Sequence, residues 1–177
     1  MDAALLDPPA LALALALAPE RPGDAAAVET LVADAFGPGR FAKTAERVRE
    51  HARFRPDLSA CAWRGGELAG AVRLWSVAVG GRPALFLGPI AVAAHLRGQG
   101  IAVRLVERAC ENAARADETA VVLVGDLDRF GPMGFAPVPA GRIVLPGPVD
   151  PRRILWRGLP PGALDALQGA LSAEANP

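Results

Sequence analysis

The chain has 177 residues, 51% of them hydrophobic and 21% charged, and its nineteen basic side chains balance nineteen acidic ones. That length and apolar content support one ordinary α/β or α+β domain with a full core. The even charge balance excludes the electrostatic footprint of a nucleic-acid or anionic-bilayer binder, and the longest strongly apolar run, Leu11 to Ala18, is far short of the ~20 residues of a membrane span.

Leu11 to Ala18 alternates Leu and Ala at period two, the pattern of a strand buried on one side. Asp2, Asp7, Pro8 and Pro9 precede it and no basic residue does, so it lacks the flanks of a secretory leader. Arg21-Pro22-Gly23-Asp24 supplies a turn and an N-cap aspartate for a helix over about 24–36, with Val28, Leu31, Val32, Ala35 and Phe36 at helical spacing. Gly37-Pro38-Gly39 stops that helix, and Phe41 to Arg53 reads as a second, more solvated one. From Ser59 the period changes to that of strands. Ala60, Ala62 and Trp63 lead into Gly65-Gly66, a two-residue hairpin turn, and the returning strand runs from Leu68 to Val79.

Ala84 to Ala93 is nearly all apolar, as a central strand buried on both faces is. A helix over about 99–116 follows, its stripe of Ala102, Leu105, Val106, Ala109, Cys110 and Ala113 opposed by charge. Thr119 to Val124 is a further buried strand, and this strand–helix–strand order predicts a crossover with two parallel neighbours. Asp126 to Met133 reads as a short helix or turn, Phe135 to Val138 and Arg153 to Trp156 as strands, Pro137 to Pro151 as loop, and Gly162 to Ser172 as a short amphipathic helix. No linker divides the chain, so a single domain over 1–177 is expected, with a core at about 11–158 and a C-terminal segment at 159–177.

Cys61, Cys110, His51 and His95 show no CxxC, HxxxH or HExxH spacing, so no metal site is expected. The two cysteines read as small core residues in a reducing compartment, which predicts a cytoplasmic location. The chemically informative segment is Gly88 to Leu105. A central strand runs into a loop with Gly98 and Gly100, and a helix starts directly on it, so backbone N–H groups point outward at a helix N-terminus and form an anion cradle with Arg97 nearby. The Walker pattern fails for want of Gly-Lys-Ser/Thr, since the single lysine is Lys43, and the dinucleotide fingerprint fails at Val103.

Arg-x-x-Gly-x-Ala at 97–102, after a hydrophobic strand, resembles the acetyl-CoA loop of the GNAT superfamily of N-acetyltransferases. The order of elements is similar as well, and Gly134-Phe135 resembles the family's Gly-Phe pair. Gly125-Asp126 before that pair, and Leu145-Pro146-Gly147-Pro148-Val149 after it, look most like the YhbS-like branch. The resemblance covers about residues 11–158. It implies an α/β (α+β) fold, a mixed and mostly antiparallel central sheet with a splayed parallel strand pair flanked by helices. It also implies acetyl-CoA as co-substrate, with its arm lying between the strands at 84–93 and 119–124 against the backbone of Ile90, Ala91 and Val92. Arg97, Gly98, Gln99, Gly100, Ile101 and Ala102 would hold the pyrophosphate.

The family's acid is commonly a tyrosine four residues before the glycine of Gly-Phe. Here that position is Phe130, which is left a cofactor contact without a proton to give, and the chain has no tyrosine at all. A thiol with an ordinary pKa of about 8.5 is a tolerable leaving group, so this loss slows the chemistry more readily than it abolishes it. Asp126, just past the strand at 119–124, is the candidate base, with capping of the next short helix as the plainer role. Glu67, Asp128 and His95 are weaker candidates. Trp75 is a candidate pocket wall, with sheet-face packing as the plainer role; Arg47, Arg49, Arg53 and Arg55 form a basic run that a solvated helical face explains equally well and that, if it lines the acceptor site, would favour an acidic or carboxylate-bearing acceptor over a polyamine.

The expected function is acetyl transfer to an amine of a small molecule or protein by direct attack in a ternary complex. A catalytically weak acyl-CoA-binding regulatory domain is the alternative, and a non-acetyl acyl donor stays open. Exposed sheet edges are compatible with a homodimer, and no nucleic-acid or membrane partner is expected.

Overall fold

The computed structural model describes residues 14–173. Strand β1 (Leu15–Ala18) is followed by helices α1 (Ala25–Phe36) and α2 (Thr44–His51) and the short strand β2 (Arg53–Phe54). A meander of β3 (Ala60–Arg64), β4 (Glu67–Val79) and β5 (Arg82–Val92) precedes α3 (Ile101–Arg115) and β6 (Ala120–Val124). The chain closes with α4 (Leu127–Phe130), β7 (Ala136–Pro137), β8 (Ile143–Val144), β9 (Ile154–Gly158) and β10 (Gly169–Ala173). Among the described residues the strands form one sheet in the order β1-β3-β4-β5-β6-β9-β7, with β2 and β10 also on β4 and β8 on β10. All pairs on the main path are antiparallel except β5–β6, the parallel pair that the crossover pattern predicts.

Alternation along each strand sorts the core into two faces. On one, α3 buries Ile101, Leu105, Val106 and Ala109 against Leu74, Leu85, Leu87, Val121 and Leu123. On the other, Val28 and Val32 of α1 pack on Cys61, Ala71 and Ala91, and Val48 of α2 belongs to a cluster with Val77, Phe86 and Val122. Each fully buried leucine or valine is worth roughly 1.5–3 kcal/mol, so the α3 stripe carries much of the docking energy of that helix. No described helix is long and apolar enough to cross a membrane.

Several segments differ from the periodicity reading. Residues 11–13 of the expected first strand lie outside the described residues, and the strand begins at Leu15. The Asp24 carboxylate accepts from Arg21 N at 2.9 Å instead of capping α1. The expected helix over 41–53 is shorter, because Lys43 is extended before it and Ala52 after it. Arg53 and Phe54 are drawn into β2 by the edge of β4, where Phe54 lies against Trp75 at 5.1 Å between ring centroids. In the expected loop, Ile143 and Val144 form β8. The largest correction is at the C-terminal side: the expected amphipathic helix is a series of turns followed by β10, with Leu171 opposite Val79. The available edge of β4 outweighs local propensity there, and Leu167 and Leu171 reach the core either way.

Cys61 and Cys110 are free and buried, as expected of core residues. Burial pushes the Cys61 thiol up to about 12 and Cys110 up to about 11, with the charges of Glu20 and Asp24 adding to the first. Below those values the reactive thiolate is scarce. The folded protein is therefore expected to give no reaction with Ellman's reagent at pH 8 and two equivalents in denaturant. A fast-reacting thiol in the native protein would contradict this burial.

Candidate active site

The site begins where β5 and β6 part. They are paired only at Leu85–Val121 and Phe86–Val122, after which β5 runs on to Val92 while β6 ends at Val124. A bulge helps to turn β5 away: Leu74 lies opposite Leu87 but Val72 lies opposite Ile90, so β5 holds one residue more than β4 at Gly88–Pro89. Pro89 has no N–H to give to a ladder. The indole of Trp75 donates to Gly88 O at 2.6 Å and pins the bulge.

The ladder then decides which backbone groups face the opening. Ala93 N donates to Ala69 O at 2.9 Å. With Val92 opposite Gly70 and Ala91 opposite Ala71, antiparallel alternation directs the polar groups of Ala91 to β4 and those of Ile90 and Val92 toward the gap. Ala91 also packs its side chain against α1. The Val92 carbonyl, on the open side, accepts from Arg97 Nε at 3.2 Å.

A cleft of about 940 Å³ occupies the gap, with Phe86, Leu123 and Phe130 among its lining residues. On the α3 face its wall is the loop at 97–102. Gly98 and Gly100 have φ of +79° and +74°, and a Cβ at either would meet nothing among the described residues within 4 Å. No side chain caps α3. The first N–H groups of the helix, which have no partner within it, therefore stay available at the positive end of its dipole. Arg97, Gly100, Ile101 and Ala102 line the cleft along with Gly98. Gln99 does not; its carbonyl Oε1 accepts from Arg64 Nη1 at 2.7 Å, which ties the loop to the β3 end.

Asp126, just past the end of β6, also lines the cleft. Its backbone carbonyl accepts from Arg129 N and Phe130 N, but its side chain caps nothing. The carboxylate, 68% exposed, forms an ion pair with Arg153 Nε at 3.1 Å. Asp150 is the other carboxylate at the cleft, and hydrogen bonds from the Arg152 side chain and backbone hold it below the usual carboxylate range. That direction disfavours it as a proton acceptor. Phe130 is buried, packed edge-on to Phe135 with centroids 6.0 Å apart.

Other candidates fall elsewhere. Glu67 opens β4 beside the hairpin turn, and Glu67, Asp128 and His95 are exposed and do not line the cleft. Trp75 does not line it either and acts on it through Gly88. The basic run disperses: Arg49 lines the cleft, Arg47 does not, Arg53 donates to Ser76 Oγ at 3.3 Å, and Arg55 is held by Asp57 and Glu118. In place of the run, Arg40, Lys43, Arg129 and Arg153 reach the cleft from segments separated in the chain. No local pattern marks them. Thr44 Oγ1 donates to Pro148 O at 2.5 Å and brings the proline-rich loop onto α2, both residues lining the cleft.

A splayed parallel pair beside an open, glycine-led helix N-terminus offers a strand edge to an extended ligand and a cradle to an anion. Residues 25–131 match the Acetyltransferase (GNAT) family, and the chain belongs to that family. Its structure is similar to that of the GNAT family N-acetyltransferase YhbS from Escherichia coli in complex with CoA, at 25% identity and a TM-score of 0.79, covering 91% of this chain and 90% of that one. A GNAT family acetyltransferase from Brucella melitensis in complex with acetyl-CoA has the same fold, at 22% identity, a TM-score of 0.67 and coverage of 92% and 97%. No curated protein matches the chain.

Proposed function

We propose that this chain transfers the acetyl group of acetyl-CoA to an amine by direct attack within a ternary complex. The observation that carries the reading is the uncapped α3 N-terminus, with open space at Gly98 and Gly100, leading into a cleft between β5 and β6. These features fit a pyrophosphate followed by an extended arm: the N–H groups of residues 100–102 and Arg97 hold the charge, and the outward groups of Ile90 and Val92 offer the arm a strand edge. Bound acetyl-CoA supplies the thioester carbonyl. Trp75 keeps the bulge at Gly88 rigid, so that β5 presents its dipoles without reorganising during the reaction.

Asp126 takes the proton from the incoming ammonium, with Arg153 orienting its carboxylate. Phe130 excludes water where the thiol leaves and contributes no proton, so the thiolate departs without help from that position. Replacing Asp126 by Asn is expected to lower kcat by about 10²–10⁴-fold with CoA affinity nearly unchanged. An unchanged kcat with a lower Tm alone would reassign Asp126 to a purely structural role.

Calorimetric titration with acetyl-CoA and CoA, followed by thiol release over a panel of amines, tests the function. Buried cysteines keep the protein's own thiols out of that assay. Binding with amine-dependent release is the expected result, and absence of binding overturns the proposal. Phe130, where the family commonly carries a tyrosine, favours one second reading, a catalytically weak acyl-CoA-binding domain. Binding without release over the panel would support it.

A further inference from the structure

The charges around the cleft are lopsided: six cationic side chains line it against the carboxylates of Asp126 and Asp150. Arg97 belongs to the α3 face, where the loop receives the coenzyme's phosphates. Arg40, Lys43 and Arg49 sit across the sheet, on the face of α1 and α2. Glu29 of α1 bridges Arg40, at 3.2 Å, and Arg73 of β4. Arg49 projects from α2 to the bulge, its Nη1 standing 3.4 Å from where a Cβ on Gly88 would be. The coenzyme's phosphates do not account for positive charge on this second face.

The bonding of the three cations leaves donors over. The Arg49 side chain is only 11% exposed, and its single ion pair among the described residues uses Nη2, on Glu46 at 2.5 Å. Arg40 gives Nη2 to Glu29 and has a buried Nη1 with no partner among the described residues. Lys43, the one lysine of the chain, lies with Nζ 5.8 Å from the Phe36 ring centroid and pairs with no carboxylate of the described residues. Guanidinium groups with N–H donors to spare and an ammonium, lining one cleft, suit a carboxylate.

We infer that the acceptor is a small amine that also carries a carboxylate, held on the α1–α2 face by Arg49 and Lys43 with Arg40 behind them, so that its amine meets the cleft near Gly88. This rests on the acetyl-transfer reading and narrows its substrate to the amino-acid class. The anchoring cations also lower the local proton concentration, which favours the neutral amine that attacks.

The test pairs each of the twenty α-amino acids, β-alanine and 4-aminobutyrate with its carboxamide, as acceptors in thiol release and as ligands of the CoA complex in calorimetry. At least one acid is expected to exceed its carboxamide by about tenfold or more in kcat/KM or affinity. That advantage is expected to fall toward unity in Lys43→Met and in Arg49→Met, with acetyl-CoA affinity kept. Lys43 is exposed, so its variant retains the fold even if Arg49→Met does not. Acids and carboxamides treated alike, or an acid preference undiminished in Lys43→Met, overturns the carboxylate subsite. Failure of the parent protein to bind acetyl-CoA overturns the acetyl-transfer reading instead.

Discussion

Gly100→Glu is expected to weaken CoA binding by at least about a hundredfold while leaving the protein folded. The side chain would enter open space at the head of α3, bringing a negative charge to the point where the helix dipole and the free N–H groups favour an anion. The backbone strain of a non-glycine residue at φ +74° is a separate effect, of about 1–2 kcal/mol. Gly100→Ala carries the strain without the charge, so the difference between the two variants isolates the electrostatics. Calorimetry with CoA and a thermal melt of each variant read both quantities. Near-native CoA affinity in Gly100→Glu would exclude this loop as the pyrophosphate site.

Gly125→Ala is expected to destabilise the fold by roughly 1–3 kcal/mol and to disturb the cleft. A Cβ there would stand 2.3 Å from Phe130 Cε2 and 2.7 Å from Cδ2, with Leu123 Cδ1 at 3.0 Å. None of these neighbours has slack, because Phe130 is packed on Phe135 and Leu123 is a core residue. At about 2–4 °C per kcal/mol, the Tm should fall by several degrees. Truncating the ring in Gly125→Ala/Phe130→Leu should recover part of the loss, a coupling that thermal melts of the two singles and the double measure. Strict additivity would mean that the methyl group is accommodated by some other movement.

Much of the scaffold is legible in the chain because its periods are clean. The apolar run after Pro83, the stripe from Ala102 to Ala113 and the strand at 119–124 are each unambiguous, and together they require a parallel crossover. The glycines at 98 and 100 mark by sequence alone the open, uncapped start of α3 that lines the cleft. What escapes such a reading depends on register or on distance in the chain. Ile90, Ala91 and Val92 are indistinguishable in sequence, yet a ladder anchored at Ala93–Ala69 turns one of them away from the cleft and leaves the other two facing it. Arg49 resembles its neighbours Arg47, Arg53 and Arg55, and only the turn of α2 over the bulge separates it from them. Arg40 and Arg153 line one cleft from far apart in the chain, and no spacing rule links them. The C-terminal apolar run satisfies a helix and a strand equally until the edge of β4 decides between them.

The long strand β4 has a further significance. One flank is taken by β5; the other is taken in succession by β3, β2 and β10. The last of these covers Val77 to Val79, with Gly80 N donating to Ala170 O at 2.9 Å beyond them, and the fit at that corner is so close that a Cβ on Gly80 would meet Gln168 O at 1.9 Å. An apolar strand of thirteen residues with one flank bare would be a template for strand addition between copies. Residues 169–173 therefore occupy the length of β4 that would otherwise be an open pairing edge, and the five-residue strand that local propensity did not foretell does so without lending a side chain to the cleft.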